Sequence, residues 1–208
     1  MIKEAKATSK ERKFKESLEL IMVFKDIDVK KGFSLNEIIQ LPKQTSSPAS
    51  VCVMASGDLG LKAKDAKADK VVNVDELNKL GSNKRESRKF ISNYDFFLAD
   101  TQLMPVVGKV LGQLLGPRGK MPTPVPFNAP IESFLQRFRS SIRVRVRDSL
   151  SMACKIGDAS MEDSELAANA HVVISTVEKK LPNGDKNIKK ILVKTTMGKS
   201  IKESVQVK

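Results

Sequence analysis

The residues that most invite a chemical interpretation lie in one stretch, 108–122, which combines spaced glycines with Lys109, Arg118 and Lys120. Glycine and lysine at such spacing are typical of loops that bind phosphate. A P-loop, however, needs a glycine five residues before its final Gly-Lys pair and Ser or Thr after it, and this chain has Leu114 and Met121 there. A dinucleotide-binding fingerprint also fails, because its glycines directly follow a strand, whereas these follow a predicted helix. The pattern therefore predicts a helix with small residues on one face and a glycine cap, followed by a Pro-rich loop at 122–126.

Other residue types that could support catalysis or metal binding are few. Cys52 and Cys154 lie far apart in apolar, strand-like runs, which favours two buried free thiols. His171 is the only histidine, so neither a zinc site nor a histidine-based triad is supported. The acidic group at 162–165 is typical of the first turn of a helix. We therefore expect no catalytic residues, no metal and no cofactor.

Charge is the most informative property of the composition. Lys and Arg number 37 against 24 Asp and Glu, a net charge of +13, which favours a polyanionic partner. An anionic membrane is less favoured, because no amphipathic helix concentrates basic residues on one face, and no apolar run approaches the roughly 18 residues of a membrane span. With one tyrosine, no tryptophan and no ribonucleoprotein-type motif around the nine phenylalanines, we expect recognition of folded RNA through its backbone and shape.

The first residues lack the apolar core of a signal peptide, so we expect a soluble, cytosolic protein.

Both ends of the chain predict a mixed helix and strand unit. Alternating apolar residues predict strands at 16–26 and 37–41, and the run 142–147 alternates apolar residues with Arg143, Arg145 and Arg147. We expect 150–156 to form a hairpin with that run. A helix follows, with apolar residues at helical spacing from Leu166 to Leu181 and a cap at Ser160 or Asp163, and then a strand at 188–195.

The middle of the chain has a different pattern. Continuous apolar runs at 51–55 and 95–99 alternate with predicted helices at 76–80, 84–91 and 103–115. Short apolar strands alternating with helices predict a parallel sheet covered on both faces. The fold class is therefore α/β: an α+β first domain formed by 1–44 and 142–208, with a Rossmann-like, three-layer second domain inserted at 45–141.

Four stretches carry a family resemblance, and they occur in order along nearly the whole chain. They are the glycine-rich run with Gly-Pro-Arg-Gly-Lys-Met-Pro at 116–122, the segment Lys-Phe-Lys-Glu-Ser-Leu-Glu at 13–19, Val-Lys-Thr-Thr-Met-Gly at 193–198, and the arginine strand at 141–148. Together they resemble the ribosomal protein L-one family, in its archaeal form. The resemblance implies two hinged domains, with the main RNA site on the first, made from Lys13, Phe14, Ser17, Glu19, Thr195, Thr196, Met197 and Gly198. Without it, Phe14 and Met197 would be interpreted as core residues.

The resemblance also implies partners and a function. It implies a cytoplasmic constituent of the large ribosomal subunit, a monomer within the ribosome, that binds lateral-stalk rRNA. It further implies contact with exit-site tRNA, release of deacylated tRNA, and repression of the protein's own mRNA. Two alternatives remain: a ribosome-assembly factor with the same domain, and a nucleotide-using Rossmann-like enzyme. Neither a membrane partner nor an enzymatic activity is expected.

Some positions stay open or depart from the family pattern. Arg118 and Lys120 could contact RNA or cap a helix, and the three arginines at 143–147 could contact RNA or form a solvated face. The N-terminal helix of the family is expected to be shortened or absent here. Lys190 replaces a serine found in many relatives, and Asp158 stands where bacterial relatives tend to carry lysine. We therefore do not assign the RNA contacts of those family residues to Lys190 or Asp158.

Overall fold

The computed structural model describes residues 1–10, 12–27, 33–126, 129–147 and 149–204. Two compact units form, one from Met1–Ser47 with Ser140–Lys208 and the other from Pro48–Arg139. The sequence predicts the corresponding limits at 1–44 with 142–208 and at 45–141. In chain order the elements are α1 (Ile2–Ala7), β1 (Ser17–Phe24), β2 (Leu35–Gln40), β3 (Val51–Met54), α2 (Gly57–Asp65), β4 (Lys70–Val72), α3 (Val74–Ser82), α4 (Lys84–Asn93), β5 (Phe96–Asp100), α5 (Met104–Arg118), β6 (Thr123–Val125), α6 (Ile131–Arg139), β7 (Ser141–Val146), β8 (Ser151–Asp158), α7 (Asp163–Glu178), β9 (Ile188–Thr195) and β10 (Ile201–Ser204).

The first unit is built on an antiparallel sheet with the strand order β10-β9-β1-β8 in the described part of the chain. Every second residue of β1 is buried, starting at Leu18, as the alternating sequence predicts. Helix α7 places Leu166, Val173 and Val177 in the same core. A separate antiparallel pair, β2 with β7, contributes Leu35, Ile39 and Val144 to it. The N-terminal helix is short, six residues, and buries Ala5.

The predicted hairpin between the arginine strand and the next strand is wrong. β7 pairs with β2, with Arg145 opposite Asn36, whereas β8 pairs with β1. The alternation of apolar residues predicts which side of each strand is buried, but it does not predict which strand pairs with it. Any strand with a complementary apolar side satisfies the same pattern. The predicted cap of α7 also differs, since its N-cap residue is Glu162 and no side chain caps it.

The second unit is a three-layer α/β structure. Its parallel strands have the order β4-β3-β5-β6 among the described residues. One face of the sheet packs against α2 and α6 through Leu59, Leu135 and Phe138. The other face packs against α3, α4 and α5 through residues such as Ile91 and Leu111. Because helices cover both faces, the central strands β3 and β5 are buried throughout, which explains their continuous apolar runs.

The glycine-rich stretch forms α5 and its cap, as predicted. Gly119 has φ +67°, a left-handed conformation that glycine adopts without steric cost, and it ends the helix. The expected Pro-rich loop is partly wrong, because Thr123–Val125 forms β6, which pairs with β5. Pro124 is tolerated there because β6 lies at the edge of the described sheet, where a missing N–H breaks no second ladder.

Candidate nucleic-acid interface

Two distant segments of the first unit are joined by the side chain of Thr196. Its hydroxyl accepts a hydrogen bond from the Ser17 N–H at 3.0 Å and lies 3.0 Å from Ser17 Oγ. The Thr196 N–H donates to the Ser17 carbonyl at 3.0 Å. These bonds extend the pairing of β1 with β9 beyond Leu18 and Thr195, the last paired residues at this end. The segment before β1 and the loop after β9 are thereby held side by side.

Large apolar side chains are exposed on both of these segments. Phe14 is 53% exposed and Met197 is 61% exposed. Their interpretation as core residues, which composition alone would favour, is therefore wrong. Lys13 is exposed beside Phe14. An exposed aromatic ring, an exposed thioether and a lysine on joined segments can contact sugars, bases and a phosphate together.

The turn after β9 depends on Thr195 and Gly198. Thr195 is fully buried, and its carbonyl accepts from the Gly198 N–H at 3.1 Å. A Cβ added at Gly198 would overlap the Thr195 hydroxyl oxygen, so only glycine fits this close approach. Thr195 thus stabilises the turn from the protein interior and presents no group at the surface. Thr196, Met197 and Gly198 are accessible to solvent.

A buried carboxylate that the sequence did not single out lies between the two segments. Glu16 is 6% exposed, accepts from the Ser9 hydroxyl at 2.5 Å and pairs with Arg12 Nε at 3.0 Å. The hydrogen bond from Ser9 lowers the pKa of Glu16 against the opposing effect of burial, and the Thr195 hydroxyl, Arg12 and the Met197 backbone act in the same direction. Nothing in the run Lys-Phe-Lys-Glu distinguishes this glutamate from a solvated one.

The rim of this region is formed by charged side chains that are already paired. Glu19 lies opposite Lys194, with Oε2 and Nζ 3.9 Å apart. Asp158, which pairs across from Ser17, accepts from the Ser46 N–H and from Lys155 Nζ, both at 2.7 Å. Burial by itself raises the pKa of Asp158, but the bonds from Lys155 and Ser46 outweigh it and lower the pKa overall.

Lys190 lies away from these residues. It pairs with Val23 near the other end of β1, about 20 Å from the Thr196 end at roughly 3.3 Å per residue.

In the second unit, Arg118 and Lys120 contact the end of α4. Arg118 donates to the Arg88 carbonyl at 3.2 Å and to Ser92 Oγ at 3.1 Å. Lys120 donates to the carbonyls of Ile91, at 3.1 Å, and Tyr94. Lys120 therefore caps carbonyl groups at the C-terminus of α4, and Arg118 bonds to the second half of that helix, which supports the structural alternative for both.

The arginine strand exposes its basic face as the alternation predicts. Val144 and Val146 are buried, Arg143 and Arg145 are partly exposed, and Arg147 is exposed. This face belongs to the β2–β7 pair and not to the sheet that carries Ser17 and Thr196. The structure does not bring the three arginines together with the residues around Thr196 in one sheet.

Both cysteines are buried. Burial raises the pKa of both Cys52 and Cys154 to about 12, so both thiols are protonated at neutral pH. Within the described ranges, no three His, Cys, Asp or Glu side chains are arranged to hold a metal ion. No described helix is both long and apolar enough to cross a membrane.

Comparison with known proteins identifies relatives along the whole chain. The family described as "Ribosomal protein L1p/L10e family" matches residues 3–199. The "Large ribosomal subunit protein uL1" of Cenarchaeum symbiosum is 71% identical over 98% of this chain and 94% of its own length. Proteins of the same name from Thermofilum pendens and Methanothermobacter thermautotrophicus are 46% and 39% identical, over 99% and 95% of this chain and 92% and 93% of their own lengths. The chain therefore belongs to the ribosomal protein L1p/L10e family, in its archaeal branch.

Proposed function

We propose that this protein is a structural, non-catalytic constituent of the large ribosomal subunit that binds lateral-stalk rRNA through its first unit. Its relatives carry the name large ribosomal subunit protein, which supports the assignment to that subunit in the cytoplasm. The net charge of +13 supports a polyanionic partner. The observation that carries the proposal is the exposure of Phe14 and Met197 on two segments joined by the Ser17–Thr196 bonds.

The proposed RNA site assigns a role to each accessible residue. Phe14 and Met197 supply apolar contact to sugars or bases, and Lys13 contacts a phosphate. Ser17 and Glu19 bind 2′-hydroxyl groups, which distinguishes RNA from DNA. Gly198 allows the RNA backbone to approach the turn. The buried residues Thr195 and Glu16 and the partly exposed Thr196 hold the two segments in place.

The finer functions follow from the family resemblance. We propose that the stalk-bound monomer contacts exit-site tRNA and assists the release of deacylated tRNA. We also propose that it represses translation of its own mRNA by binding a similar RNA fold there. Both functions use the same RNA site, so both depend on the residues named above.

The test compares a stalk rRNA fragment with DNA of the same length and sequence. We expect much tighter binding to the RNA, with affinity that falls as salt rises. Phe14→Ala combined with Met197→Ala should weaken RNA binding by about 1–3 kcal/mol, roughly 5- to 150-fold, because apolar contacts to sugars or bases are lost. Both side chains are exposed, so the melting temperature should not change. Equal affinity for RNA and DNA, or unchanged affinity in the double variant, would refute the proposed site.

A further inference from the structure

The second unit contains a polar cleft at the meeting point of α3, α4 and α5, with a volume of about 470 Å³. Lys84 and Arg88 reach it from α4, and Lys109 from α5. The amides of Asn78 and Gln113 also line it, and Val110 contributes to its apolar part. Neither Arg118 nor Lys120 lines the cleft, so it is separate from the helix-capping contacts described above.

In the part of the chain that the structure describes, no carboxylate pairs with the three cations of the cleft. Lys84, Arg88 and Lys109 are all exposed, and among the described residues no Asp or Glu lines the cleft. No described carboxylate forms an ion pair with any of the three. With respect to the described residues, the positive charge of the cleft is therefore not compensated.

This charge arrangement opposes the stability of the helix that carries it. Lys84 is the first residue of α4, where the helix dipole favours an anion and disfavours a cation. Lys84 and Arg88 are four residues apart, a spacing at which like charges on a helix repel. Asn83 already caps α4 by accepting from the Arg85 and Glu86 N–H groups, so the cations are not needed to start the helix. Charges that weaken the local structure without compensation are typical of functional positions.

The helices around the cleft are held at fixed positions. A Cβ added at Gly81 would lie 2.5 Å from Val110 Cγ1, so glycine is required for α3 to approach α5 this closely. The end of α4 is fastened by Arg118 through the Arg88 carbonyl and Ser92. The basic side chains thus project from a preformed surface, which reduces the entropic cost of binding.

We propose that this cleft binds phosphate groups of an RNA backbone, as a second RNA contact that is independent of the site at Phe14 and Met197. Three cations with two amide donors match the oxygens of phosphodiesters. The nearby aromatic residues Phe90, Tyr94 and Phe97 pack against one another. No aromatic side chain lines the cleft among the described residues, so a nucleobase finds no stacking partner there, which favours a backbone over a free nucleotide. The identity of the partner as RNA rests on the proposed function.

The test uses the full-length chain with Phe14→Ala and Met197→Ala, so that residual RNA binding reports surfaces other than the first site. Lys84→Ala with Lys109→Ala is added in one variant. The matched control adds Lys62→Ala with Lys64→Ala, which removes the same charge from exposed positions on α2, in the layer on the other face of the sheet. Affinity for a mixed-sequence RNA duplex of about 20 base pairs is measured at several salt concentrations.

We expect the cleft variant to bind the duplex about tenfold more weakly than its parent at low salt. The slope of log affinity against log salt should fall by roughly 1–2, because each phosphate contact contributes about 0.7–0.9 to it. The control should differ from the parent by about twofold or less. The melting temperature of the cleft variant should be equal or higher, because repulsion along α4 is relieved.

Three results would overturn the proposal: equal losses in the cleft and control variants, a lower melting temperature in the cleft variant, or stabilisation by inorganic phosphate that depends on Lys84 and Lys109 without any effect on RNA binding. The last result would assign the cleft to free phosphate. The proposed function fails by a different result, unchanged stalk rRNA affinity in the Phe14 and Met197 double variant. The two failures are therefore distinguishable.

Discussion

At the scale of a single residue, the hydroxyl of Thr196 connects the fold to the proposed RNA site. The family resemblance implies that this hydroxyl faces RNA, but the structure shows it bonded to the backbone and side chain of Ser17. It therefore positions Phe14 relative to Met197. The Ser17 hydroxyl, which is partly exposed, is the better candidate for direct contact with a 2′-hydroxyl.

Thr196→Val tests the positioning role. The change leaves the partly buried Ser17 N–H without an acceptor, which should lower the free energy of unfolding by about 1–3 kcal/mol. It should also weaken stalk rRNA binding, because the two segments lose their connection. Lys202→Ala is the control: it removes a full charge from an exposed position on β10 and should cost less at moderate salt, where exposed charges are screened. Titration at fixed salt and urea unfolding measure both effects.

Ser17→Ala separates positioning from direct contact. It keeps the backbone bonds to Thr196, so stability should fall less than in Thr196→Val, while RNA affinity should still fall. A charge-only model predicts a different order, in which Lys202→Ala weakens binding most. That order would contradict the site at Thr196.

Asp158 gives the unfolding free energy a defined pH dependence. Its pKa is lowered in the folded protein from an ordinary value of 3.8, so it stabilises the fold above that value, and this contribution is lost as the pH falls through the folded pKa. Asp158→Asn should therefore be less stable than the parent at pH 7, and the difference should shrink below about pH 4. Urea unfolding of both proteins from pH 7 to pH 3 measures this. A constant difference over that range would show that the charge of Asp158 has no part in it.

At the scale of helices and strands, the sequence predicted the position of an element better than its pairing partner. β1, β9 and α5 agree with their predicted positions closely, because their alternation or helical spacing lies within the segment. The predicted pairing partner of β7 was wrong because its actual partner, β2, is about a hundred residues away in the sequence. β6 and β10 were not predicted, since proline in one and lysine in the other are typical of loops, although edge strands tolerate both.

The proposed site could be predicted only in part from the sequence, because it too depends on contacts between distant segments. The resemblance supplied Phe14 and Met197, but their exposure depends on bonds between Ser17 and Thr196, which are 179 residues apart. Glu16 was missed because its burial depends on Ser9, Arg12 and the turn after β9. Helix α6 was also not among the predicted elements, although Ile131, Leu135 and Phe138 have helical spacing.

Arg118→Ala tests the structural role of Arg118, the last residue of α5. Loss of its bonds to the Arg88 carbonyl and Ser92 should lower the stability of the second unit by about 0.5–1.5 kcal/mol. Stalk rRNA affinity should stay within about twofold of the parent. Thermal unfolding measures the change in stability, and titration with the stalk rRNA measures the affinity. Reduced affinity with unchanged stability would instead assign Arg118 to an RNA contact.

At the scale of the whole molecule, the chain enters the second unit near Ser47 and leaves it near Ser140. Each unit has its own apolar core, since the cluster around β1 and α7 belongs to the first unit and those flanking β3 and β5 belong to the second. A separate core is the property expected of a domain that folds alone. We therefore infer that the proposed RNA site and the proposed phosphate contact can be separated by dividing the chain.

A chain that joins 1–47 to 140–208 through a short flexible linker should fold cooperatively, because it retains the complete first core. It should keep its preference for stalk rRNA over DNA and bind the RNA within about tenfold of the full chain at moderate salt. Its salt dependence should be shallower, because the cleft at Lys84 and Lys109 is absent. The separate fragment 48–139 should also fold, but it should bind RNA weakly and without preference for the stalk sequence. Titrations of both fragments with the stalk rRNA and the mixed duplex measure these expectations. If the 48–139 fragment carried the stalk preference, the recognition site would belong to the second unit, and the assignment to Phe14, Ser17 and Met197 would be wrong.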